Sequence, residues 1–377
     1  MTARTLISLC VWVLLASSCR IDPPLHLRRP AEVGVVLETA VNVDVMWQVN
    51  WETLWEYAWD VRTLGPLGYE EPQSMRLHSY GLDEQDKPIT HQSYNFLGRT
   101  GRLQVYAGFY NFLFFNNDSE SILFSAASEF SDIEAYTRVI SKGLQMSDIV
   151  RTLRQKSETK ADSGFDPSDD EVVLAPDGLF SLFERQVWIS DNIEDYDYID
   201  GHYVFRVKGS LHPASFIYLI QITLVNNNGR VVGSAGGAAI TGMTGRTNLN
   251  TGETSDVTVS VPFEVHINRQ ANPDMLGARV VTLGIPGCNP YDAESVAAAP
   301  EVPHYLVLSV AYSNGSYRNI RVDITEQVRA LPTGGVIPLT LDVDDFPPDP
   351  EPGPGGGGFN ALVKGWEEET GGYTIRQ

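Results

Sequence analysis

Apolar and polar residues alternate along much of this 377-residue chain. Between Val33 and Trp47, valine and leucine fill odd-numbered positions, and this period of two is that of a strand with one buried face. We therefore expect a first strand that packs on a core through one side only. Its apolar positions are Val35, Leu37, Val41, Val43 and Val45.

The same alternation, interrupted by turn residues, recurs along the rest of the chain. The asparagine-rich turn Asn226–Gly229 separates the apolar runs Ser215–Val225 and Arg230–Val232, which is typical of a β-hairpin. Thr325, followed by Glu326, predicts only one capped helical turn. Strands dominate, so the pattern predicts antiparallel sandwiches with few short helices rather than alternating βαβ units. The other predicted strands are Met75–Leu82, Arg102–Tyr106, Tyr110–Phe115, His202–Val207, Thr254–Ile267, Tyr305–Tyr312 and Arg318–Ile324.

Four tryptophans recur at four-residue spacing: Trp47, Trp51, Trp55 and Trp59. This spacing fits one face of a helix or a loop folded over a sheet edge. Large aromatic side chains more often pack against a core than form a ligand cage, so the sequence favours a packing or lid role.

The N-terminus has the layout of a bacterial lipoprotein signal. Arg4 precedes an apolar run, Leu6–Leu15, and the small residues Ala16, Ser17 and Ser18 lead into Cys19. About ten apolar residues are too few for a permanent membrane helix, so residues 1–18 are predicted to be a removed signal peptide and Cys19 to be lipidated. An ordinary secretory peptide that happens to contain a cysteine is the alternative. Residues 19–32, with three prolines, then form a tether.

Changes in composition predict the domain boundaries. A polar stretch at residues 155–170 separates an N-terminal sandwich domain, residues 33–165, from a C-terminal one, residues 171–345. The sequence FPPDPEPGPGGGG at residues 346–358 cannot join a regular element and is predicted to be a spacer.

A last strand-like segment, residues 359–377, follows this spacer. Phe359, Ala361 and Val363 share one face, followed by Trp366 and by Tyr373–Ile375. Such a strand can pair with its own sheet or add to a sheet of a neighbouring molecule. Self-pairing is favoured because a tethered strand has a high local concentration, and the segment remains a candidate for strand exchange.

Charge and cysteine content restrict the binding partners and the disulfides that the chain can have. The formal net charge of −21 makes nucleic acid and anionic membrane surfaces poor partners, which leaves a lipid as the membrane attachment. Cys10 leaves with the signal and Cys19 takes the lipid, so Cys288 is the one remaining thiol and no internal disulfide is possible.

Catalytic and metal-binding motifs find no support in the sequence, and we expect no cofactor and no enzyme. The seven histidines have no HExxH spacing, so the sequence does not support a zinc site of that type. The glycine-rich stretch Gly233–Gly245, which contains Ser234, matches neither a nucleophile elbow nor a phosphate loop. Its glycines are better explained by a β-bulge or by close packing of the sheet. One acidic cluster could bind Ca²⁺ through its carboxylates, although a solvated acidic loop is favoured. Carboxylates from distant strands could also pair as in a glycoside hydrolase. The cluster consists of Asp191, Glu194, Asp195, Asp197 and Asp200.

Several stretches resemble a family of Bacteroidales outer-membrane lipoproteins that carry a domain of unknown function and are similar to fimbrillin and fimbrial-anchor proteins. The resemblance covers most of the mature chain and implies two tandem transthyretin-like (Greek-key) β-sandwich domains attached to the outer membrane. It is carried by Cys19, VYAGFYNFLFFNNDSESILF at Val105–Phe124, NNNGR and GGAAITGMTGRTNLNTG within Phe216–Gly252, DITEQVRALPTGGVIPL from Asp323, and Gly365-Trp366.

The resemblance implies a non-enzymatic, lipid-anchored envelope protein that acts in adhesion or in anchoring and assembling a fimbria-like structure, with fimbrial subunits or other surface proteins as partners. Two departures bear on this expectation. First, no clear arginine or lysine cleavage site for maturation precedes the first strand, although Arg28 and Arg29 are near. Second, Asp22 is the single acidic residue soon after Cys19, so the sequence does not decide on which face of the outer membrane the protein lies.

Two alternatives remain open. A carbohydrate-binding lipoprotein of a glycan-uptake system would use exposed members of the Trp47–Trp59 series, or Tyr196 and Tyr198, as stacking platforms. A hydrolase is the weaker alternative, because no pair of carboxylates stands out.

Overall fold

The computed structural model describes residues 33–43, 45–125, 133–140, 170–199, 202–346, 348 and 373–375. These residues form an all-β sandwich protein with few short helices, which confirms the predicted fold class. The transthyretin-like topology stays a prediction. Within the described ranges, no helix has the length and apolar character needed to cross a membrane.

Strands account for most of the regular structure. In chain order they are β1 (Val33–Val41), β2 (Ser74–Leu82), β3 (Pro88–Leu97), β4 (Thr100–Val105), β5 (Gly108–Asn116), β6 (Ile122–Phe124), β7 (Glu134–Thr137), β8 (Glu171–Val172), β9 (Phe180–Ile189), β10 (Asp197–Ile199), β11 (His202–Pro213), β12 (Phe216–Val225), β13 (Val231–Thr244), β14 (Arg246–Asn248), β15 (Thr258–Phe263), β16 (His266–Asn268), β17 (Asp274–Thr282), β18 (Tyr305–Tyr312), β19 (Tyr317–Asp323), β20 (Gly335–Asp342) and β21 (Tyr373–Ile375). The described α-helices are α1 (Val45–Leu54), α2 (Val61–Leu64), α3 (Ala293–Ala298) and α4 (Thr325–Ala330).

The first sandwich is an eight-stranded sheet that folds back on itself. Its strands lie in the order β3-β2-β5-β9-β11-β1-β4, with β10 beside β11. Only two residue pairs, at Phe180 and Ser181 of β9, join β9 to β11, so the sheet can bend at this corner. The two halves face each other across a shared core that includes Leu37 of β1, Leu77 of β2 and Phe112 of β5.

The aromatic run in β5 is buried on both of its faces. Phe112 and Phe114 point into the first core, whereas Leu113 and Phe115 join a second apolar cluster on the outer face of the sheet. The small sheet β14-β7-β6 and Leu283 of the second sandwich contribute to that cluster. Because both faces are buried, this strand is continuously apolar instead of alternating.

The second sandwich faces a four-stranded sheet, β16-β17-β12-β20, against a six-stranded sheet, β21-β19-β18-β13-β15-β8. Its core combines Ile220 of β12 and Ala278 of β17 with Ile240 of β13 and Leu308 of β18. Alternating inward positions from two facing sheets are the usual construction of a β-sandwich core.

The hairpin predicted at Asn226–Gly229 is wrong. The chain turns there, with Arg230 N–H donating to Asn227 O at 2.8 Å, but β12 and β13 belong to facing sheets. Almost all of β12 is buried, and its partners are β17 on one side and β20 on the other. Turn chemistry predicted the reversal, whereas the burial of both faces of β12 determined its partners.

The strand pairing differs from the domain division predicted at residues 165 and 171. Strands β9, β10 and β11, within residues 180–213, complete the first sandwich, whereas β8 pairs with β15 of the second. Composition locates a polar interruption, but strand partners depend on contacts between distant residues, such as Phe112 with Glu184.

Candidate functional site

The edge of the six-stranded sheet is the first candidate site, because the short strand β21 lies on it. β21 pairs in parallel with β19, and the residue pairs are Ile320 with Tyr373, Arg321 with Thr374, and Val322 with Ile375. Ile320 and Val322 are fully buried in the second core, so the acceptor strand is firmly held. A strand held in a core on one side-chain face can bind an extended segment along its outer backbone edge, as β19 binds β21.

The remaining residues predicted to form functional sites at the chain ends are not part of the described structure. Cys19 lies outside the described residues, as do Phe359, Ala361, Val363 and Trp366. Lipidation and strand exchange therefore stay predictions.

The tryptophan-rich stretch forms a cover over the second sandwich. We call residues 45–69 the covering segment; its aromatic side chains pack on Ile217, Leu219, Val281 and Val336 on the outer face of the four-stranded sheet. Trp47 is 2% exposed, and its indole N–H donates to Ile217 O at 2.6 Å. The rings of Trp51, Trp55 and Trp59 are half-buried beside it.

Polar contacts fasten the covering segment at three further points. Gln221 Oε1 accepts the backbone N–H groups of Glu56 at 2.7 Å and Tyr57 at 2.9 Å. The Arg279 guanidinium donates to Leu67 O at 3.0 Å, and burial lowers its pKa. The Val336 N–H, on edge strand β20, donates to the Asn50 side chain. These contacts were not foreseen, because Gln221 and Arg279 stand inside strands and carry no motif.

The tyrosines proposed as stacking platforms have different surroundings. Tyr196 is half-buried, its ring packs against Phe205 with 5.6 Å between centroids, and its hydroxyl donates to Ser190 O. Burial raises the pKa of that phenol. Tyr198 is 67% exposed and contacts Tyr203, with 5.0 Å between ring centroids. Of the two, only Tyr198 offers an open ring face.

The acidic cluster is used in local contacts. Asp195 accepts from the Ser190 hydroxyl, and Asp197 pairs with Arg206 at 2.7 Å. Asp200 lies outside the described residues. Within the described ranges, no group of three or more His, Cys, Asp or Glu side chains could hold a metal ion.

Two buried histidines have strongly lowered pKa values. Burial lowers the pKa of His78 to about 4, with nearby His91 and Arg76 adding to the effect, and His78 Nδ1 lies 2.9 Å from His91 Nε2. Burial also lowers the pKa of His304 to about 4. Both side chains are buried, His78 beside His91 and His304 beside the Thr241 carbonyl.

The glycine-rich stretch in β13 is a packing feature. The register of β13 shifts at three places, between Val231 and Gly233, between Ser234 and Ala238, and between Ile240 and Met243, which are β-bulges or irregularities. A Cβ at Gly237 would lie 2.3 Å from Phe263 O, so only glycine fits.

A family model described as a domain of unknown function (DUF5119) matches residues 65–264. No curated protein matches the chain. Solved structures with a similar fold include a candidate adhesin from Bacteroides ovatus, 16% identical, which covers 87% of this chain and 97% of that chain with a TM-score of 0.49. A candidate polysaccharide-binding protein from Bacteroides thetaiotaomicron is 8% identical over 82% of this chain and 91% of that chain, with a TM-score of 0.42. The fimbrial anchor protein Mfa2 from Porphyromonas gingivalis is 12% identical over 82% and 90%, with a TM-score of 0.38.

Proposed function

The chain belongs to the family described as a domain of unknown function (DUF5119), whose model covers more than half of its 377 residues, and from its own features we propose a function. It is a non-enzymatic, lipid-anchored protein of the cell envelope that acts in adhesion or in anchoring and assembling a fimbria-like surface structure. The observation that carries this proposal is the short strand β21, which is the outermost strand of the six-stranded sheet and pairs with β19.

The contact between β21 and β19 is small enough to be exchanged. Within the described residues, three pairs join the two strands, whereas seven pairs join β18 to β19. A parallel pairing of this length contributes little stability by itself. Its occupancy therefore depends on the local concentration that the tether provides, and a strand from a neighbouring subunit held nearby can replace it.

The sequence before β21 is suited to such an exchange. The proline and glycine residues of 346–358 are predicted to form a spacer, and the alternating pattern at Phe359, Ala361 and Val363 predicts further β-forming length. We propose that this segment and β21 bind the β19 edge of a neighbouring subunit during assembly. The same edge is held by the chain's own β21 when no partner is present.

Cross-linking between two differently substituted chains tests the exchange. The acceptor chain carries Arg321→Cys and lacks residues 359–377, and the donor chain carries Thr374→Cys; these positions are paired in the structure. A short thiol cross-linker is expected to join donor and acceptor into a heterodimer. An acceptor with Arg318→Cys, which is on β19 but outside the residues that pair with the described β21, is the matched control and should give little product. Equal yields from both acceptors, or no heterodimer, would contradict the exchange.

Metabolic labelling tests the anchor. A tagged fatty acid is expected to label the wild-type protein and the Cys10→Ala variant, because Cys10 leaves with the signal peptide. The Cys19→Ala variant should carry no label. Label that persists in Cys19→Ala would refute lipidation at this position.

A further inference from the structure

Two exposed aromatic rings lie side by side on the outer face of the first sandwich. Phe109 of β5 and Trp188 of β9 are directly paired across the sheet, are 46% and 45% exposed, and have ring centroids 4.7 Å apart at 49°. Inward-facing neighbours hold both strands, since Tyr110 and Ile189 are buried in the first core. The rings are thus open to solvent on a rigid support.

The strand that carries Trp188 is distorted just before it. The register between β5 and β9 shifts between Tyr110 and Phe112, and Gln186 has a φ of 51°, which is unfavourable for a residue with a side chain. The Gln186 N–H donates to the buried Asn111 Oδ1 at 2.8 Å, so this bulge is held in place. Bulges and strained residues of this kind are concentrated at binding sites, where they redirect side chains.

The bulge places two planar polar side chains two and three positions before Trp188 on the same strand. Gln186 and Arg185 are both exposed, and the Arg185 guanidinium lies 5.1 Å from the centre of the Phe183 ring, on the outer face of the sheet. The site therefore combines two aromatic faces with amide and guanidinium donors. This is the chemistry that recognises a pyranose ring, whose C–H face packs on an aromatic ring and whose hydroxyl groups accept hydrogen bonds.

Other occupants fit the observations less well. Half-exposed Phe and Trp side chains offer on the order of 200 Å² of surface in total, whereas a stable protein interface buries about 800 Å² on each partner. The net charge of −21 opposes nucleic acid, whose bases could otherwise stack on the rings. One or two sugar rings match the size of the pair.

We infer that Phe109 and Trp188 form a stacking platform for a pyranose-based glycan, with Arg185 and Gln186 as flanking hydrogen-bond donors. This inference rests on the proposed role in adhesion and names the class of ligand that adhesion would use. Arg185 also suits a carboxylate-bearing sugar, so neutral and uronic-acid polymers are separate arms of the test.

Affinity electrophoresis of the complete chain, through native gels that contain a polysaccharide, measures the binding. The probes are a β-1,4-glucan, a β-1,4-mannan and a polygalacturonate. At least one is expected to retard the wild-type protein, with association at least about tenfold weaker for Trp188→Ala and Phe109→Ala. Trp188→Phe should retain part of the binding because it keeps an aromatic face. Tyr198→Ala removes a more exposed ring from the other half of the sheet and should bind as the wild type does.

Three results would overturn the inference: no retardation by any of the three polymers, unchanged retardation of Trp188→Ala, or loss of retardation in Tyr198→Ala. Sedimentation checks the remaining occupant, because a dimer that Trp188→Ala abolishes would assign the pair to contacts between copies of the chain. None of these outcomes affects the fatty-acid labelling or the cross-linking of β21, so failure of the glycan site is distinguishable from failure of the proposed function.

Discussion

Trp47→Ala measures how strongly the covering segment stabilises the second sandwich. The indole is almost completely buried against the four-stranded sheet and donates a hydrogen bond to Ile217 O at 2.6 Å. Burial of about 150–250 Å² at about 25 cal/mol per Å² gives about 4–6 kcal/mol as an upper value. Truncation of buried tryptophans costs about 3–5 kcal/mol, so we expect the free energy of unfolding to fall by about 4 kcal/mol.

Urea denaturation followed by far-UV circular dichroism is the suitable assay, because removal of an indole changes the fluorescence signal itself. Trp51→Ala is the matched control: its ring lies 5.3 Å from that of Trp47 but is only half-buried, so a loss of about 1–2 kcal/mol is expected. A loss below about 1.5 kcal/mol for Trp47→Ala, or equal losses for the two variants, would refute the structural role of the segment.

Two further predictions concern the core. Since burial lowers the pKa of His304 to about 4 whereas an unfolded histidine titrates near 6.5, the unfolded state binds the proton first as pH falls. Stability should therefore decrease by up to about 3 kcal/mol between pH 6.5 and pH 4, and His304→Gln should show a smaller decrease in pH-dependent urea titrations; an equal decrease would exclude His304 as the cause. Gly237→Ala should lower the free energy of unfolding by about 1–3 kcal/mol, because φ is 90° and the added Cβ would lie 2.3 Å from Phe263 O. Gly229→Ala is the control for positive φ alone, because no atom lies within 4 Å of its added Cβ. Equal melting temperatures for the two variants would contradict the steric reason.

Local sequence chemistry predicted strands better than it predicted their partners. Asn314-Gly315 joins β18 to β19 as an antiparallel hairpin, whereas the similar turn at Asn226–Gly229 joins strands of facing sheets. Both turns contain residues with positive φ, so the turn chemistry alone does not distinguish them. The difference lies in β12, which is buried along almost its whole length and is paired on both sides.

The platform formed by Phe109 and Trp188 was also beyond reach of the sequence. Trp188 is separated from Phe109 by 79 positions, and their contact depends on the register of β5 with β9. Gly108, immediately before Phe109, has a φ of 155°. The bulge at Gln186 left no trace in the pattern of apolar residues.

The two sandwiches are built from interleaved parts of the chain, and this has a consequence for how the protein holds together. The covering segment comes from between β1 and β2 but packs on the four-stranded sheet, while β14, which follows β13, pairs with β7 beside the first sandwich. Each sandwich therefore buries apolar surface contributed by the other half of the chain. A cut at the polar stretch near residue 165 would separate β5 from β9 and expose the core around Phe112. The two sandwiches are therefore expected to unfold together.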